Sequence, residues 1–110
     1  MPWCVRIAAA AALLCLGHVV AIAAAPPQQL ASQYGCLSCH GVINKQVGPG
    51  FAQVAARYRD DRSAPTLLAA RIRNGSVGNW GRVVMPRQAQ VSEADAQVLA
   101  AWVLSQPAPR

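Results

Sequence analysis

The chain has 110 residues, which is enough for one small domain. Its formal net charge is +6, and the segment after residue 25 carries nine basic and four acidic side chains. A basic surface of this kind favours an acidic partner. Nucleic acid is not expected as a partner, because the sequence shows no motif that interleaves aromatic and basic residues.

The first 25 residues have the pattern of a cleaved secretory signal peptide. Arg6 is followed by an almost unbroken apolar run over residues 7–25, which ends in the small residues Ala23, Ala24 and Ala25. The alternative is a retained membrane anchor, but alanine-rich runs insert weakly and the small residues favour cleavage. We therefore predict a signal peptide at 1–25, cleavage near Ala23 to Ala25, and an exported domain at 26–110 that is not stably inserted in a membrane.

Four helices are predicted within the domain, separated by two long loops. Hydrophobic periodicity, capping residues and glycine stops place the helices at 28–35, 51–58, 63–74 and 92–105, with loops at 41–50 and 75–90. In the last helix the expected buried stripe is Val98, Leu99, Trp102 and Val103. The pattern predicts an all-α fold.

A C-x-x-C-H motif lies between the first helix and the first loop. Cys36 and Cys39 are spaced so that each thiol can add to one vinyl group of a haem, and His40 then becomes a ligand of the iron. A thioredoxin-like pair would need a βαβ context, and a zinc site would need further soft ligands. Beyond the leader the chain has no other Cys or His. The motif therefore predicts one covalently attached haem c.

Two further residues are candidates for the site: Pro49 would hold His40 in place, and Met85 would bind the iron. The loop after His40 can fold back so that a backbone carbonyl near Pro49 accepts from the far ring N–H, although an ordinary turn is the alternative. Met85 is the one methionine after the leader and precedes the stiff residue Pro86. A thioether would raise the reduction potential, and Met85 is the predicted second axial ligand, with Lys45, water or an open site as alternatives.

The domain resembles the short class I bacterial cytochromes c that carry electrons in the periplasm to nitrite reductase or terminal oxidases. The resemblance spans residues 26–110. It rests on residues 35–40, 47–49, 54–58, 71–75, 80–81, 85–86 and 91–105.

The resemblance implies a role for each matching residue. Cys36 and Cys39 would form the thioethers. His40 and Met85 would be the axial ligands and therefore the metal site. Pro49 would supply the carbonyl behind the histidine. Cofactor contacts would also come from Arg71 and Trp80, which match positions that hydrogen-bond a haem propionate. The implied fold is that of class I cytochromes c, with about four helices around one haem.

The loop around the methionine departs from the family pattern. Arg82, Val84 and Arg87 stand where prolines are expected, and Gln88 stands where an asparagine often steadies the methionine. We expect Arg82 and Arg87 to add positive charge near the exposed haem edge. This charge predicts docking to an acidic partner surface.

The expected function is one-electron transfer between redox proteins in the periplasm, by a monomer that transforms no substrate. The resemblance suggests a cytochrome complex as donor and nitrite reductase, a terminal oxidase or a peroxidase as acceptor. The alternative keeps the haem with an open sixth site, for ligand binding or peroxide reduction. A third hypothesis is a haem-free thiol or metal protein.

Overall fold

The computed structural model describes residues 19–21 and 24–110. The predicted signal peptide therefore lies almost entirely outside the described residues. Within the part of the chain that is described, no helix is long and apolar enough to cross a membrane.

The predicted order of four helices is confirmed, and a small antiparallel sheet is added to it. The elements in chain order are α1 (Pro27–Gln33), a 3₁₀ turn (Cys36–Ser38), α2 (Phe51–Arg57), α3 (Ala64–Asn74), β1 (Ser76–Gly78), β2 (Gly81–Met85) and α4 (Glu93–Leu104). The chain is thus mostly helical, as the sequence predicted.

The ends of the helices follow from individual residues. Pro27 lies in the first turn of α1, where its missing N–H costs nothing, and Gly35 leaves the helix in a left-handed conformation with φ 73°. At the start of α4 the Ser92 hydroxyl accepts a hydrogen bond from the Asp95 N–H at 3.1 Å, as the capping pattern predicted. Ser63 precedes α3 but its side chain makes no capping bond, and its hydroxyl donates to the Asp61 carboxylate at 2.6 Å.

The prediction of a loop over 75–90 is wrong for residues 76–85. β1 and β2 form a hairpin in which Ser76 pairs with Met85 and Val77 with Val84. The short strands carry little hydrophobic alternation, and their shape depends on glycines at positive φ, including Gly78 at 82°. These glycines suggested a loop because they interrupt every regular pattern.

The core is built around α4, which packs against α1, α2 and α3. Its buried residues are mainly small, and the side of α4 that faces them includes Ala96, Leu99, Ala100 and Val103. Trp102 is half-buried, but Val98 is 42% exposed, so its predicted place in the buried stripe is wrong. Successive residues of an α-helix are about 100° apart, so Val98 lies on the side of α4 away from these four residues.

Candidate functional site

The C-x-x-C-H segment forms a tight turn against the end of α1. The Cys39 and His40 N–H groups both donate to the Cys36 carbonyl, at 3.2 and 3.0 Å, and Gly35 supplies the left-handed residue that reverses the chain. Cys36 is half-buried and Cys39 is exposed, and both carry free thiols that line one cavity. Burial raises the pKa of the Cys36 thiol. The turn therefore presents two thiols of unequal exposure to the same space.

The imidazole of His40 is fixed on three sides. Its Nδ1 lies 2.7 Å from the Pro49 carbonyl oxygen, and its ring stacks on Phe51 with centroids 5.0 Å apart. A Cβ added to Gly48 would lie 2.9 Å from the ring's Cε1, so only glycine leaves room for the ring there. Because a carbonyl only accepts, Nδ1 carries the proton and Nε2 keeps its lone pair for a metal.

The loop behind His40 is held by its own backbone. The Val47 and Gly48 N–H groups both donate to the Cys39 carbonyl, at 3.0 and 2.8 Å, and the Phe51 N–H donates to Gly41 at 2.9 Å. These bonds bring the Pro49 carbonyl under the ring. The turn and the loop thus form one unit that fixes the tautomer.

Met85 reaches the same cavity from the hairpin. It ends β2, is half-buried, and lines the cavity together with Val83 and Pro86. The backbone at this point is crowded, since a Cβ on Gly75 would lie 2.8 Å from the Met85 carbonyl oxygen. The side chain of Gln88 donates to the Pro86 carbonyl at 3.0 Å.

Arg71 and Trp80 also line the cavity, from α3 and from the hairpin turn. The Arg71 guanidinium donates to the Tyr58 hydroxyl at 2.7 Å and to Asn79 Oδ1 at 3.2 Å. Both acceptors are neutral, so neither offsets the charge of the guanidinium. A carboxylate of a bound group would do so.

Three residues that position Arg71 and Trp80 were not predicted from the sequence. Tyr58 and Asn79 bond to Arg71, and the Arg57 guanidinium lies 4.6 Å from the centre of the Trp80 ring. Asn79 looks like an ordinary turn residue and Arg57 like a solvated helix charge. Only the approach of the hairpin to α2 gives them partners.

The cavity has a volume of about 200 Å³ and is partly open to solvent. Ligand sites in proteins are mostly apolar clefts that carry a few polar groups, and this cavity has that form. Most of its walls are apolar: Ala31, Val47, Phe51, Val54, Leu68, Ile72, Leu99, Ala100, Trp102 and Val103.

The donors in the cavity fit a haem. They comprise two thiols, an imidazole with a free Nε2, a thioether and a guanidinium with neutral partners. Among the residues that the structure describes, no three His, Cys, Asp or Glu side chains converge as a set for a bare metal ion. The donor set therefore matches a flat apolar group that brings its own iron and its own carboxylates.

Comparison with known proteins agrees with this geometry. The sequence profile of the family described as cytochrome c matches residues 24–107. Cytochrome c-552 of Nitrosomonas europaea is 44% identical over 97 residues, covering 88% of this chain and 89% of that protein. Cytochrome c-551 of Pseudomonas aeruginosa is 48% identical over 80 residues, covering 73% of this chain and 76% of that protein. The crystal structure of wild-type Nitrosomonas europaea cytochrome c552 has a TM-score of 0.70 and covers 72% of this chain and 98% of that one, at 44% identity.

Fold and cavity together define a small, mostly helical protein built around one haem c. The chain belongs to the cytochrome c family, among the bacterial monohaem class I cytochromes, and it transfers electrons through its haem. The resemblance, the fold class, the cofactor and the electron-transfer function expected from the sequence are thereby confirmed.

Proposed function

We propose that His40 and Met85 are the axial ligands of the iron and that Cys36 and Cys39 form the two thioethers. The observation that carries this assignment is the bond at 2.7 Å between His40 Nδ1 and the Pro49 carbonyl, which leaves Nε2 as the nitrogen available to the iron, at a residue that lines the same cavity as Met85 and the two thiols. When bound, the haem takes up and releases one electron at a time. The chain's own contribution is to fix the ligand orientation and exclude water from the apolar walls.

Arg71 and Trp80 are proposed to bind the propionate side. Arg71 has a guanidinium whose present partners are neutral, and Trp80, which also lines the cavity, has an indole N–H; each of these groups can donate to a carboxylate. A partly buried carboxylate needs such donors, because burial without them is costly. Their role is therefore to hold and neutralise a charge, and neither residue takes part in a chemical step.

The protein is proposed to act in the periplasm, after removal of a signal peptide at 1–25, as a monomer that transforms no substrate. The apolar run over 7–25 and the small residues at its end support export. Its relatives are cytochromes by name, which supports a carrier and not an enzyme. A covalent haem also suits an exported chain, because attachment prevents its loss.

The proposed partners are redox proteins that meet this chain briefly. We propose a cytochrome complex as donor, and nitrite reductase, a terminal oxidase or a peroxidase as acceptor. Valines at the open rim of the cavity, Val47 and Val84, are 53% and 61% exposed and offer a small apolar contact. Transient electron-transfer complexes bury little surface, so a small apolar contact of this kind suits them.

The ligand assignment is tested by optical spectra of the full chain matured in a periplasm that attaches haem c. The wild type is expected to show sharp reduced c-type bands and, when oxidised, the weak far-red band of methionine on iron. Met85→Ala should lose the far-red band, lower the reduction potential and bind carbon monoxide when reduced. Val77→Ala, on the neighbouring strand and 66% exposed, is the control that should behave as wild type.

A high-spin wild-type spectrum, or carbon monoxide binding by the wild type, would overturn the assignment of Met85. It would favour the alternative of an open sixth site for ligand binding or peroxide reduction. Haem lost on acid–acetone extraction would contradict the two thioethers.

A further inference from the structure

The tip of the hairpin is joined to two helices through one residue, Asn79. Its backbone carbonyl accepts a hydrogen bond from Arg57 of α2, and its Oδ1 accepts one from Arg71 of α3 at 3.2 Å. Its Nδ2 donates to the Ser76 hydroxyl at 2.8 Å, which braces the turn from inside. Every polar group of the Asn79 side chain is therefore engaged, and two guanidiniums from different helices meet on one turn residue.

This junction matters because the hairpin has few other ties at its tip. The helices pack chiefly on α4, whereas β1 and β2 pack chiefly on each other. The base of the hairpin is held separately, where the Gln88 N–H donates to the Ile72 carbonyl at 3.3 Å. The position of the tip, and of Trp80 within it, thus depends on side chains.

Arg71 is held from two sides by neutral groups. One terminal nitrogen donates to the Tyr58 hydroxyl at 2.7 Å and the other to Asn79 Oδ1. A guanidinium is a rigid planar fork, so two bonds on its two terminal nitrogens fix its plane. Without Asn79 the side chain would keep one anchor and could swing away from the cavity that it lines.

Trp80 is fixed by the same junction. The Arg57 guanidinium covers its ring at 4.6 Å while donating to the carbonyl of the preceding residue. Arg57 is exposed and does not line the cavity, so it acts through Trp80.

We propose that Asn79 and Arg57 are positioning residues for electron transfer: they hold Arg71 and Trp80 against the carboxylate side of the haem and thereby set the reduction potential. The proposal rests on the proposed function, in which Arg71 and Trp80 meet the propionates. A cation held near the haem favours the reduced state, because reduction lowers the positive charge of the iron site. Loss of the junction should lower the potential.

A mutant cycle between Asn79 and Arg71 tests this, with the midpoint potential of the matured holoprotein as readout. Asn79→Ala should shift the potential downward in the wild-type background and leave it unchanged in an Arg71→Gln background. Asn74→Ala, an exposed asparagine at the end of α3 that does not line the cavity, is the matched control and should cause no shift. Thermal unfolding of each variant separates a shift in potential from a general loss of stability.

A second readout addresses Arg57 by itself. Arg57→Gln should speed hydrogen exchange of the Trp80 indole N–H, measured by NMR, whereas Arg62→Gln, another exposed arginine outside the junction, should not. Equal potential shifts in both backgrounds, or no shift in the wild-type background, would overturn the role of Asn79. Unchanged indole exchange would overturn that of Arg57.

Failure of this proposal is distinguishable from failure of the proposed function. A lowered potential in Arg71→Gln together with an additive cycle rejects the junction alone, whereas an unchanged potential in Arg71→Gln rejects the proposed contact of Arg71 with the propionates. A wild type without covalent haem or without the methionine–iron band rejects the proposed ligands before the cycle is measured.

Discussion

His40 owes its orientation to groups that are small or part of the backbone. The Pro49 carbonyl takes the Nδ1 proton, Phe51 supports the ring, and Gly48 leaves space at its edge. None of these contacts needs a charged partner, so the ring can be held without a nearby carboxylate to compete for the metal-facing nitrogen.

Gly48→Ala is expected to disturb this arrangement through space alone. The added methyl would lie 2.9 Å from Cε1, closer than carbon atoms pack, and must push the ring from the Pro49 carbonyl. Overpacking of this kind costs about 1–3 kcal/mol, which denaturant unfolding measures. The reduction potential and the reduced spectrum should change as well.

Ile43→Val, which also changes one methyl group in the same loop, is the control for this substitution, because Ile43 is 54% exposed and does not line the cavity. It should leave both the stability and the spectrum near wild type. A Gly48→Ala protein with wild-type properties would show that the ring is free to move aside.

The hairpin and the α1–α4 contact illustrate how single elements are joined. At the base of the hairpin Gly75 has φ 79° and its Cα faces the Met85 carbonyl, so the end of α3 and the methionine strand touch through backbone. α1 and α4 are joined by a hydrogen bond at 2.6 Å from the Tyr34 hydroxyl to the Asp95 carboxylate. Each contact ties an element that carries site residues to the helical core.

Gly75→Ala and Gly78→Ala form a matched pair for the hairpin base. Both glycines have positive φ, 79° and 82°, so alanine strains the backbone at each position. At Gly75 the new Cβ would also lie 2.8 Å from the Met85 oxygen, while at Gly78 it meets nothing within 4 Å. Both variants should lose about 1 kcal/mol or more, but only Gly75→Ala should weaken the far-red methionine band. A far-red band of equal strength in the two variants would contradict a role for the contact between Gly75 and Met85.

The Tyr34–Asp95 bond predicts a loss of stability at alkaline pH. The hydrogen bond to the Asp95 carboxylate raises the pKa of Tyr34 above its ordinary value of 10.0. The folded state therefore holds the phenol proton more tightly than the unfolded state, and this stabilisation is complete below pH 10 and falls as the pH rises through the folded pKa. The midpoint temperature of thermal unfolding should fall more steeply above about pH 10 in the wild type than in Tyr34→Phe. Parallel declines would contradict the prediction.

At the scale of the whole molecule, the sequence predicted the helices and the residues of the C-x-x-C-H turn because each depends on local chemistry. Ser92 caps α4 and Gly35 ends α1 by contacts within a few residues of chain. The hairpin was missed because its turn glycines resemble a loop until its tip meets α2 and α3. The two arginines that bond to Asn79 lie 8 and 22 residues before it in the sequence, and no periodic pattern predicts a contact between a helix and a turn of this kind.

The surface charge predicts how the protein meets a partner. Arg82 lies within β2 and Arg87 follows it, and both are exposed, so added salt should slow electron exchange with an acidic surface. Voltammetry on a carboxylate-terminated electrode measures this exchange. Arg82→Gln with Arg87→Gln should lower the rate at low salt by about tenfold and flatten its salt dependence.

The matched control for that pair removes two arginines from the turn between α2 and α3. Arg59→Gln with Arg62→Gln changes the net charge by the same amount at exposed positions. An equal loss of rate in both double variants would show that net charge, and not the hairpin, directs the encounter.

The composition of the core has a consequence for the life of the protein in the cell. In the described part of the chain, seven of the thirteen buried hydrophobic residues are alanines: Ala31, Ala52, Ala55, Ala64, Ala69, Ala96 and Ala100. Side chains this small bury too little apolar area to stabilise a chain of this length without help. We therefore expect a chain that misses its haem to stay unfolded and open to proteases, so that the amount of folded protein follows the supply of haem.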